Sequence, residues 1–266
     1  MSIAIVTDST SDLPKDIADS HGITVVPLNV RFGMEEFKDG VDITNDEFYG
    51  RLQREAELPT TSQPSPGDFA ATYSDLLANH DGIVSVHLSG KVSQTINSAL
   101  QAAREVDNSG TKITTIDSGH VTIPLGLIAI DAAQSAASGA SMDEVVGVVE
   151  DSMSRARFYG MVETLEYLVK GGRIGRAKSL VGGLLKVKPI ITFEEGESSP
   201  VASPRTRRKG LEKLKELIEE AAPFDHLAMH YSTEPEEIQK LADDLEHLAP
   251  ENGIMVAQIG VVVGTY

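Results

Sequence analysis

The stretch Thr7-Asp8-Ser9-Thr10-Ser11-Asp12 places two carboxyl groups and four hydroxyls directly behind the apolar run of residues 3–6. Acids at the end of a strand can act as nucleophiles beside magnesium, so an enzyme of phosphate or acyl chemistry using Asp8 and Asp12 is one reading. That chemistry needs tighter spacing and a later Lys and acid, which this sequence does not identify. The other reading is local: Asp and Ser at strand-to-helix junctions accept backbone N–H groups and close turns.

Other catalytic patterns fail on spacing. Gly90-Lys91 lacks the preceding Gly and the following hydroxyl residue of a phosphate loop, with Ser85 and Val92 standing there instead. Gly171-Gly172-Arg173-Ile174-Gly175 follows a predicted helix, which argues against a dinucleotide loop. No Gly-x-Ser-x-Gly elbow and no His-Glu-x-x-His pair is present. The absence of cysteine excludes disulfides, thiolate nucleophiles and thiolate metal sites. His226 and His230 lie four apart on a predicted strand, not on a helix face, so no metal site and no catalytic residue are assigned.

Two polar loops are more informative: Thr61-Ser62-Gln63-Pro64-Ser65-Pro66 and Leu88-Ser89-Gly90-Lys91-Val92-Ser93. Each precedes a helix, and loops beyond the strand ends of a parallel sheet gather along one edge. Hydroxyls and helix N-terminal amides can hold a carboxylate there without a charged partner. They can equally be plain caps and turns. Bulk charge bears on the choice, because 23 Lys and Arg against 40 Asp and Glu give −17. Nucleic acid and anionic lipid surfaces are repelled, so an anion must be gripped by local groups.

The elements that carry these loops follow from periodicity. Residues 3–6, 23–32, 83–88 and 112–116 read as strands. Thr44 with Glu47 and Ser141 with Glu144 form capping boxes, Ser65 caps a helix whose first residue is Pro66, and residues 122–138 form an Ala-rich helix. Residues 59–66 read as a stiff loop because three prolines interrupt them. Alternating strands and helices predict a parallel sheet with helices on both faces. Beyond it, strands over 158–162, 187–193 and from Val201, a turn at 194–197, a helix carrying Leu211, Leu214, Leu217 and Ile218, and strands over 226–231 and from Ile254 predict mixed pairing. The expected fold is α/β in two domains, 1–155 with a parallel sheet and 156–266 with a mixed one. No run reaches the ~20 apolar residues of a membrane span, and the N-terminus carries no basic leader, so a cytoplasmic protein is expected.

Thr7-Asp8-Ser9, Thr61 to Pro66, Ser93 before Asn97-Ser98-Ala99, Asp117-Ser118, Tyr167-Leu168 with Lys170-Gly171-Gly172-Arg173-Ile174, and Lys188-Pro189-Ile190-Ile191 occur in one order. That order resembles the DegV family of fatty-acid-binding proteins over essentially the whole chain. The resemblance implies a two-domain DegV-like fold and a long-chain fatty acid held noncovalently, its acyl chain in the second domain, with no cofactor. It further implies a carrier that is not itself catalytic and presents the carboxylate to a fatty acid kinase subunit for acyl-phosphate formation, in bacterial phospholipid synthesis. Thr61 and Ser93 match the family's carboxylate-binding hydroxyls, and Ser62, Gln94 and Tyr266 complete the expected ligand set. Gln94 stands where the family has Gly, and Tyr266 where it has His; the family's glycine-rich closing segment is expected to be absent. A scaffold without lipid is the remaining alternative.

Residues 167–193 hold no acid, yet Lys170, Arg173, Arg176, Lys178, Lys186 and Lys188 lie there, and Arg205, Arg207, Arg208 and Lys209 follow. Ten of 23 cations in one region can form a docking patch or a solvated face. Arg173 and Arg205, which match family positions, are the expected partner contacts. Transient contact with a membrane surface is compatible with this arrangement.

Overall fold

The computed structural model describes residues 2–55, 57–181 and 187–266. Met1, which precedes the predicted first strand, and Lys186, counted in the basic region, lie outside the described residues. The chain divides into two compact units, Met1–Ala156 with Gly260–Thr265, and Arg157–Ile259 with Tyr266.

The first unit runs β1 (Ile3–Asp8), α1 (Lys15–Ser20), β2 (Ile23–Val26), β3 (Asn29–Phe32), β4 (Glu35–Lys38), α2 (Asn45–Leu52), β5 (Thr60–Ser62), α3 (Pro66–Leu77), β6 (Gly82–His87), α4 (Thr95–Val106), β7 (Ile113–Asp117), α5 (Ile123–Ala137) and α6 (Met142–Arg155). Four strands pair in parallel in the order β2-β1-β6-β7. Every residue of β1 and β6 is buried, as strands covered on both faces must be. Ala4 and Val6 pack with Phe69 and Tyr73 of α3 and with Ala99 and Ala102 of α4. Helices α5 and α6 pack on each other and against β1 and β6. Capping boxes begin α2, α3 and α6 at Thr44, Ser65 and Ser141.

Two expectations change in this unit. Residues 23–32 form two strands in different sheets, because Pro27 between them has no N–H to continue a ladder. Residues 60–62, expected inside a loop, form the edge strand β5 of the antiparallel sheet β4-β3-β5, with Thr61 opposite Val30. Pro59 and Pro64 flank this short edge rather than interrupt it, and such positions tolerate proline.

The second unit runs β8 (Gly160–Met161), α7 (Glu166–Gly171), β9 (Ile190–Glu194), β10 (Glu197–Ala202), α8 (Arg207–Ala221), β11 (Leu227–Tyr231), α9 (Pro235–Asp244) and β12 (Ile254–Gln258). Strands β10-β9-β8 are antiparallel, and Glu195 (φ 50°) with Gly196 (φ 80°) closes the β9–β10 hairpin in the doubly left-handed turn that suits twisted strands. Strands β11 and β12 pair in parallel, with Met229 buried against Leu241, Ala242 and Leu245. The architecture is α/β, parallel in the main sheet of the first unit, with a separate antiparallel sheet and a parallel pair in the second. Residues 260–265 were expected with the second domain but belong to the first unit, where Val261, 0% exposed, packs with Val30, Phe32, Ile43, Phe48 and Tyr49. No described helix is long and apolar enough to cross a membrane.

Candidate functional site

The last residues of β1 and β6 are polar, and both Asp8 and His87 are 0% exposed. Asp8 Oδ1 accepts the Thr10 N–H at 3.1 Å and the Thr10 hydroxyl at 2.5 Å. Its Oδ2 accepts the Leu88 N–H at 3.0 Å and lies 3.0 Å from His87 Nδ1. His87 Nε2 lies 2.7 Å from Ser85 Oγ, which lies 2.8 Å from the Tyr73 hydroxyl. The Asp-His-Ser order has the form of a nucleophile relay. Ser85 is nevertheless 0% exposed, so its hydroxyl meets no substrate, and the relay serves as internal framing of the sheet end.

Asp12 is also buried, its Oδ2 accepting the Thr122 hydroxyl at 2.6 Å. Burial pushes its carboxyl well above the usual carboxylate range, against the Thr122 hydrogen bond; the charges of Asp39 and Asp8 push the same way as burial. Burial likewise lifts Asp39 to about 6, opposed by the Ser9 hydroxyl and the N–H groups of Val262 and Val261. Neither Asp8 nor Asp12 presents an open carboxylate. Sequence reading passed over Asp39 because a lone acid before Gly40 carries no motif. Ser85 and His87 left only a faint signal, two polar residues at strand period within an apolar run.

The two polar loops sit on different sheets of the first unit. Thr61 is half-buried on β5, and the exposed Ser62 accepts from Asn29 Nδ2 at 3.4 Å. Ser93 is half-buried just before α4, where its Oγ accepts the Thr95 N–H at 3.3 Å and lies 2.9 Å from the Thr95 hydroxyl. Gln94 is exposed and its Oε1 accepts from Asn97. Ser93 therefore makes a local turn contact just before α4, whose N-cap is Gln94, with lone-pair and proton capacity left for a ligand.

In the second unit Tyr266 packs on Gly171, where a Cβ would stand 2.6 Å from the ring, and the Arg173 guanidinium lies 5.1 Å from the ring centroid. Arg173 also donates to the Gly171 carbonyl. Much of the basic region is neutralised by acids outside it. Lys170 pairs with Glu166, Arg176 with Glu195, Lys188 and Arg207 with Glu163, Arg207 also with Glu237, and Arg208 with Glu212. Lys178, Arg205 and Lys209 make no ion pair among the described residues.

His226 Nδ1 lies 3.1 Å from Asn252 Nδ2. Both ring nitrogens of His230 are buried with no partner among the described residues, and burial lowers its imidazole to about 4. Among the described residues no group of three or more His, Asp or Glu is arranged to hold a metal.

Comparison with known proteins matches residues 2–266 to the model of an uncharacterised protein family, the DegV family. The protein DegV of Bacillus subtilis is 35% identical over 100% of this chain and 95% of its own length. A DegV domain-containing protein of Streptomyces coelicolor is 37% identical over 99% of this chain and 94% of its own. Among solved structures, a DegV family protein from Thermus thermophilus, described for its fatty acid binding, superposes with a TM-score of 0.89 at 33% identity, covering 100% of this chain and 95% of that one. DegV from Bacillus subtilis, described as a fatty acid binding protein, gives 0.88 at 33% identity with the same coverage. The parallel sheet, its polar strand ends and these whole-length matches agree, and the chain belongs to the DegV family.

Proposed function

We propose that this chain binds a long-chain fatty acid noncovalently and, in the cytoplasm, presents its carboxylate to a separate ATP-dependent fatty acid kinase subunit. The observation that carries the reading is that two solved relatives sharing its fold along the whole chain are described as binding fatty acids. Thr61, Ser62, Ser93 and Gln94 receive the carboxylate, Ser93 from the start of α4, where the helix dipole favours an anion. The hydroxyls fix orientation, and the acyl chain supplies affinity. At ~0.8 kcal/mol per buried methylene, about 15 carbons contribute on the order of 12 kcal/mol gross, against about 1 for a hydrogen bond. On the partner, the γ-phosphoryl of ATP passes to a carboxylate oxygen, leaving ADP and an acyl phosphate. Arg173 and Arg205 contribute the docking charge.

Mass spectrometry of an organic extract of the purified protein tests the binding step. Long-chain fatty acid near one equivalent is expected; an empty extract together with no uptake of added fatty acid overturns the reading. ATP turnover by the chain alone, abolished by Asp8→Asn in a folded protein, would instead favour catalysis by the chain itself.

A further inference from the structure

Strand β6 lies between β1 and β7, and each flanking strand ends on an aspartate. Both acids reach onto the loop that leaves β6. Asp8 Oδ2 accepts the Leu88 N–H at 3.0 Å from one side, and Asp117 Oδ2 accepts the Gly90 N–H at 3.1 Å from the other. Asp117 Oδ1 also accepts the Gly119 N–H at 3.0 Å, which fixes the carboxyl's own orientation. Gly90 is cut to this contact, since a Cβ there would stand 2.7 Å from Asp117 Oδ2 and 3.2 Å from Ile96.

The grip continues to Ser93. Ser89 donates its N–H to the His120 carbonyl at 2.9 Å, while its own carbonyl accepts the Val92 and Ser93 N–H groups at 3.1 and 3.2 Å. Its hydroxyl accepts the Lys91 N–H at 3.2 Å. Every amide from Leu88 to Ser93 thus has a named partner, and the two acids anchor the first half of the loop.

We infer that Asp8 and Asp117 are positioning residues that clamp the loop after β6 and so set where the Ser93 hydroxyl meets a ligand's carboxylate. The inference rests on Ser93 receiving that group. Its probe is carboxyl-13C-labelled palmitate, followed by NMR and by the rate of release to vesicles, with amide hydrogen exchange over residues 88–93. Asp117 is exposed, so its replacement leaves the core intact. Asp117→Ala should release palmitate about fivefold faster, the effect of one hydrogen bond, with a displaced carboxyl signal and faster exchange at Gly90. Asp117→Asn, which keeps an acceptor, should restore part of each change. Asp75→Ala, which removes an exposed acid of α3, should change none of them. Asp8→Ala should repeat the Asp117→Ala pattern; if it does not fold, Asp117→Ala decides alone. Wild-type release, carboxyl signal and Gly90 exchange in Asp117→Ala overturn the clamp. No bound palmitate signal in the wild type overturns the fatty acid reading, and this role for the clamp with it.

Discussion

Thr122 donates its hydroxyl to Asp12 Oδ2 across 2.6 Å, and both residues hold positive φ, 54° and 50°. For a β-branched residue such a backbone is an outlier that only surrounding contacts can maintain. The hydrogen bond ties the turn after β1 to the start of α5, two points distant in sequence. Thr122→Val keeps the shape but removes the donor, leaving a buried carboxyl short of a partner. Urea unfolding should show a loss of about 1–3 kcal/mol, with Thr122→Ser much closer to the wild type.

Asp39 should make stability depend on pH. Its carboxyl lies at about 6 in the folded protein against the ordinary 3.8, so the folded state holds the proton more tightly than the unfolded chain does. This contribution is fully present below about 4 and is lost as pH rises to about 6, on the order of 3 kcal/mol in all. His230 works in the opposite sense. Its imidazole is lowered from 6.5 to about 4, so its contribution is present above 6.5 and is lost as pH falls toward 4. Asp39→Asn should therefore steepen the net rise in melting temperature between pH 4 and 6, and a curve parallel to the wild type would show that Asp39 titrates normally.

The head-group assignment predicts that Thr61→Ala with Ser93→Ala weakens fatty acid retention by roughly 30-fold, two hydrogen bonds at about 1 kcal/mol each. Part of any stability change belongs to Ser93 alone, which accepts the Thr95 N–H. Retention should be compared with each single variant at matched folded fraction. Unchanged retention in the double variant would remove these hydroxyls from the ligand site.

Arg205 is the cleaner probe of partner docking. It is exposed and makes no ion pair among the described residues, whereas Arg173 is engaged with the Gly171 carbonyl and the Tyr266 ring. Arg205→Glu should slow partner-dependent acyl-phosphate formation several-fold, more at low salt than at high, while fatty acid binding stays unchanged. Equal turnover at low salt would rule out a docking role for this residue.

What could be read from the sequence was what repeats or caps locally. The parallel sheet followed from strand and helix periods, and the capping boxes at Thr44 and Ser141 follow from residues three apart. Long-range pairing was not legible. The acids that neutralise Lys188 and Arg207 include Glu163, between β8 and α7, and Glu237 of α9, so the cations read as a denser patch than the fold produces. Ser93 stood out because a hydroxyl before a helix is a local signal. Asp117 stood out only through family resemblance, because its partner Gly90 is brought to it by the register of β6 against β7.

Val261 completes the cluster of Phe32, Phe48 and Tyr49 after the chain has already built the second unit. On the ribosome, the residues that line this cluster emerge before the second unit and wait for Val261, which follows it. A chain released after residue 156 would lack Val261 and leave Phe32, Phe48 and Tyr49 one apolar neighbour short.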